Sequence, residues 1–120
     1  AFQSWLDQAR PIFAEIDARE SESGVILLNC TIRFVEEDKD TVLAYSRFPG
    51  GCFAFVLYYR LPRKPQTIET EVLADYHRQF VTCTLNVGGS FYLPYRKCYS
   101  RGEFKSAYPK VSDFAALKEK

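Results

Sequence analysis

The chain contains no methionine, and it has one tryptophan and one histidine among 120 residues. With Ala1 in first place, it reads as a processed or trimmed chain whose signal peptide, if it had one, is gone. One histidine, and four cysteines with no C-x-x-C pair among them, leave the usual zinc sites and thioredoxin-like redox motifs without ligands or spacing. No apolar run approaches the roughly 20 residues of a membrane helix, which points to a soluble chain with no membrane partner. An excess of either charge is missing too. Sixteen Lys and Arg against fifteen Asp and Glu give a net charge of +1, which speaks against a protein that grips nucleic acid through its overall charge. There is no G-x-S-x-G elbow and no glycine-rich loop opening a helix, so neither a serine nucleophile nor a phosphate cradle is read. The one dense acidic group, Glu36, Glu37, Asp38 and Asp40, is interrupted by Lys39 and lacks calcium-loop spacing; it reads as a solvated hairpin. No cofactor, metal site or catalytic residue is assigned.

What is present is 47% hydrophobic and 16% aromatic sequence, enough for the core of a single domain spanning residues 1–120. Cys30, Cys52, Cys83 and Cys98 read best as two disulfides in an oxidising compartment, hence a secreted protein, with all three connectivities open. Phe2, Trp5, Leu6, Ala9, Ile12, Phe13 and Ile16 recur at helical spacing and predict an amphipathic helix, kinked near residues 8–10 or split in two by Pro11. From Val25 the period becomes two. Strands are expected from Val25 to Phe34, Thr41 to Phe48, Cys52 to Leu61, Glu69 to Val87 with a bulge, and Ser90 to Ser100. Turns are expected at residues 36–40, at Pro49-Gly50-Gly51 and at Gly88-Gly89. A helix over Thr67 to Phe80 is the competing reading. Ser112 predicts the cap of a short terminal helix containing Phe114, Ala115 and Leu117.

The expected fold class is therefore α+β: a kinked N-terminal helix packed on an antiparallel sheet of about five strands, with a short C-terminal helix. That order resembles cystatin-like and related helix-on-sheet folds in topology alone. The Gln-x-Val-x-Gly hairpin of cystatins is absent, and Asn86-Val87-Gly88-Gly89 does not match it, so no functional residue is carried over.

Charge is balanced in total but segregated: residues 15–40 hold eight acidic and three basic residues, and residues 96–120 hold three acidic and seven basic. Two groups combine arginine or lysine with tyrosine, the pairing enriched at binding hot spots: Tyr58, Tyr59, Arg60, Arg63 and Lys64, and Tyr95, Arg96, Lys97 and Arg101. They are the expected partner-binding residues, against the alternative that they cap and solubilise strand ends. The function expected is a secreted, disulfide-stabilised, non-enzymatic protein that binds another protein as an effector, inhibitor or immune modulator. One alternative is a carrier whose pocket between helix and sheet, lined by Phe13, Phe34, Phe53 and Phe55, holds a small apolar molecule. A second is a small secreted ribonuclease using His77 with Glu69 or Glu71 and Arg78 as cation, although a lone histidine in a strand reads more readily as structural.

Overall fold

A computed structural model describes residues 1–119. Its elements are α1 (Phe2–Ala18), α2 (Glu20–Ser23), β1 (Ile26–Val35), β2 (Cys52–Arg60), α3 (Thr67–Asn86), α4 (Arg101–Ala107) and α5 (Val111–Lys118). In α1, Trp5, Ala9, Ile12 and Ile16 form the buried stripe that the sequence period demands. The helix runs through Pro11 without splitting, because Pro11 lies on the exposed side, where a lost backbone bond is left to water. Gly24, at φ +67°, ends α2 and turns the chain into β1.

β1 and β2 form one antiparallel pair from Ile26 opposite Arg60 to Val35 opposite Cys52, with a bulge at Leu28. The register puts Leu27 with Tyr59, Cys30 with Leu57, Ile32 with Phe55 and Phe34 with Phe53 on one face. Both long helices lie on that face. Trp5 stacks on Phe55 at 4.0 Å and His77 of α3 meets Tyr59 at 5.4 Å. α1 and α3 run antiparallel, with Phe13 against Phe80 at 5.0 Å and the Trp5 indole N–H donating to Thr84 Oγ1 at 2.9 Å. Trp5, Ile12, Ile16, Val25, Leu73, Tyr76 and Phe80 are the heart of the core. Each such side chain contributes about 2–3 kcal/mol on burial. Without this helical layer an isolated hairpin would be marginal.

The expectation of about five strands is overturned: among the described residues the sheet has two. Residues 41–48 make turns instead of a strand, organised by Asp38, whose carboxylate accepts from the backbone N–H groups of Asp40 (3.0 Å) and Thr41 (2.9 Å). Glu69 to Val87 is helix. Gln66 and Glu69 form a capping box at its start. Gly88 and Gly89, expected in a hairpin, close it: their N–H groups donate to Leu85 O at 2.9 Å and Thr84 O at 2.8 Å, the paired bonds of a Schellman cap. Ser90 to Ser100 holds no strand; it folds into a loop closed by Phe91 stacking on Tyr99 at 4.4 Å. α5 begins after Lys110 instead of Ser112, and α4, which was not expected, is capped by Ser100 and Glu103. Tyr108 is buried behind α4; its hydroxyl donates to Phe91 O, and burial pushes its pKa up to about 12.

The disulfide expectation is also overturned. All four cysteines are free thiols. Cys30 faces Leu57 while Cys52 faces Val35, so the two lie five ladder positions apart, roughly 17 Å, where a bridge needs about 6 Å between Cα atoms. Cys83 is buried on α3 and Cys98 lies in the loop that follows. With no cystine and two strands, the cystatin-like, disulfide-stabilised picture falls away, and with it the feature that pointed to an oxidising compartment.

Candidate interaction surface

β2 delivers Tyr58 and Tyr59 to opposite faces of the sheet. Tyr58 is 48% exposed on the face away from the helices. Tyr59 points inward over His77, and burial, its largest influence, holds its phenol far above the usual tyrosine range. The Tyr59 hydroxyl is buried with no hydrogen-bond partner. The side chain as a whole is partly buried and packs against the core. Arg60, the last residue of β2, is exposed, and so are Arg63 and Lys64 between Pro62 and Pro65 in the segment that leaves the sheet.

In the loop after α3, Tyr95 is 68% exposed, and Arg96 and Lys97 are exposed beside it. The loop folds back toward the middle of α3. Arg96 is close enough for its charge to act on His77, whose pKa is lowered first by burial and then by that guanidinium. His77, packed on Tyr59, lies toward the end of the sheet where β2 terminates, and the Arg96 charge reaches it there. Among the described residues, none of Arg60, Arg63, Lys64, Arg96 or Lys97 makes an ion pair. Arg101 is the exposed first residue of α4.

At the opposite end lies a feature the sequence reading took for interior. Phe34 is 60% and Phe53 52% exposed; their rings meet at 5.7 Å, and Phe2 of α1 packs on Phe53 at 4.9 Å. Phe2 also reaches Phe55 at 5.6 Å, so an unbroken chain of aromatic contacts runs from Trp5 in the core out to Phe34 in solvent. The backbone comes unusually close here. Gly51, at φ +89°, lies so near Phe34 that a Cβ would stand 2.7 Å from its ring and 2.5 Å from Val35 O. The signal that could have exposed this patch is the PGG turn, which places Phe53 two residues from a loop.

The trio of the nuclease reading does not converge. Glu69 is engaged at the helix start, accepting from the Gln66 N–H at 2.8 Å. Eight residues separate it from His77, about 12 Å along the axis. Glu71 instead shares a shallow groove of about 480 Å³ with Arg19, Val72, Asp75, Tyr76 and Arg78. A second groove, of about 400 Å³, lies between α1 and α3 at Pro11, Ile12 and Cys83. Neither lies between helices and sheet, where Phe13 and Phe55 are committed to packing against Phe80 and Trp5. No family model, no curated protein and no solved structure matches this chain.

Proposed function

We propose that this chain is a non-catalytic protein-binding module. The observation that carries the reading is the aromatic run from Trp5 through Phe55, Phe2 and Phe53 to Phe34, which leaves the core and ends in water. A protein whose outermost core layer is uncovered gains free energy by covering it, and a contiguous apolar patch of this kind marks an association surface. The exposed Tyr95 and the unpaired cations at the other end supply the polar, orienting contacts that such an interface uses at its rim. The test is a photo-crosslinking residue at position 34, 95 or 118 in extracts of the source cell. Positions 34 and 95 give one adduct of defined mass, which unlabelled wild-type protein competes away and the F34S/F53S variant does not. Equal labelling from position 118, or no competition, ends the reading.

A further inference from the structure

The hairpin is narrower than the layer beneath it. Two helices side by side span about 20 Å, while two strands at about 4.8 Å spacing cover half of that. Both helices reach the sheet over β2, through Trp5 on Phe55 and His77 on Tyr59, while Ile32 and Phe34 of β1 on the same face are 47% and 60% exposed, so the uncovered breadth of the helical layer lies on the β2 side. No backbone hydrogen bond joins that edge to any other described segment. The two edges are not equivalent. β1 carries the bulge at Leu28 and a charge within the strand, Arg33, devices by which edges avoid pairing. β2, Cys52–Arg60, has no bulge, no proline and no charge before its last residue. The order helix, strand, strand, helix, with both helices on one face, is moreover the middle of the βαββαβ pattern, in which a further strand lies antiparallel along this edge.

We propose that the free edge of β2 accepts an extended strand of a partner polypeptide, antiparallel to β2 and acidic at its N-terminal end. This rests on the protein-binding reading and specifies its mode. The direction follows from the ladder, and the charge from Arg60, the last residue of β2, with Arg63 and Lys64 exposed in the segment that leaves it, none of the three in an ion pair among the described residues, where an antiparallel strand would begin. Alternate side chains of the incoming strand would continue the helix-facing row set by Phe55, Leu57 and Tyr59.

The probe is a nine-residue peptide of alternating valine and threonine with two N-terminal glutamates and a C-terminal lysine, beside its charge-reversed counterpart, read by fluorescence anisotropy. The acidic-first peptide binds at least ten-fold more tightly. N-methylation of the alternate residues that face β2 abolishes binding, while N-methylation of the other set leaves it within about two-fold. Equal affinity of both charge orders overturns the proposal, as does equal tolerance of both methylated sets. So does a second copy as occupant, which sedimentation equilibrium of the chain alone would reveal as a dimer. If the peptides fail while position 34 still yields its competed adduct, the edge is withdrawn and the protein-binding reading stands.

Discussion

His77 is the residue whose protonation most directly touches the fold. Its pKa in the folded chain lies below the ordinary 6.5 because burial, and then the charge of Arg96, disfavour the imidazolium. The folded state therefore binds fewer protons than the unfolded one. Its contribution is fully present above about pH 6.5 and is lost as pH falls through the folded pKa. Urea midpoints should drop over that window in the wild type and drop less in H77Q, and an NMR titration of R96A should place the His77 pKa higher. At Gly51, alanine would need a positive φ and a Cβ inside contact distance of Phe34 and Val35, so G51A should cost about 2–3 kcal/mol in denaturant unfolding. Only part of the surface was legible at this scale. The arginines and lysines flanking β2 and in the 95–97 loop were identifiable as exposed because charge on a short loop has nowhere else to go. Composition does not say which of two adjacent tyrosines faces the helices, so Tyr58 and Tyr59 were grouped together, and Phe34 and Phe53 were read as interior because their alternation continues the inward row and the adjoining Pro49-Gly50-Gly51 turn was read only as a turn.

Element by element, α1 and β1 were readable from a clear period, and β2 from an unbroken apolar, aromatic-rich run held between the Gly50-Gly51 turn and Pro62. α3 was not. Thr67, Ile68, Thr70, Val72, Val81, Thr82 and Thr84 give it a β-branched composition, and its apolar residues fit a bulged strand nearly as well as a helix. What decides the matter is at its ends, in the Gln66 and Glu69 box and the Gly88-Gly89 cap, and tertiary packing on Trp5 and Phe13 overrides propensity between them. The cap is testable. A Cβ at Gly89 would lie 2.9 Å from Thr84 O, the carbonyl that its own N–H must reach, so G89A should destabilise by about 1–2 kcal/mol and speed amide exchange in the last turn of α3. Ser100 with Glu103 is the same kind of signal, S-x-x-E, and it marks α4 in plain sequence.

As a whole the molecule is flat and open. Its radius of gyration is 15.8 Å and its extents are 48 × 33 × 21 Å, where a close-packed chain of this length would have a radius of about 14 Å. Four separate thiols make the fold independent of oxidation state: thermal unfolding should occur at the same temperature with and without dithiothreitol, and four thiols should react with Ellman reagent in denaturant. A melting point that fell by many degrees on reduction would restore cross-links to the account. Trp5, the only tryptophan, is 6% exposed, sits on α1, lies on Phe55 of β2 and is tied to Thr84 of α3. A single indole at the crossing of three elements is a built-in optical gauge. Its emission wavelength will register any parting of the helical layer from the hairpin, with no label added and no other chromophore of its kind to blur the reading.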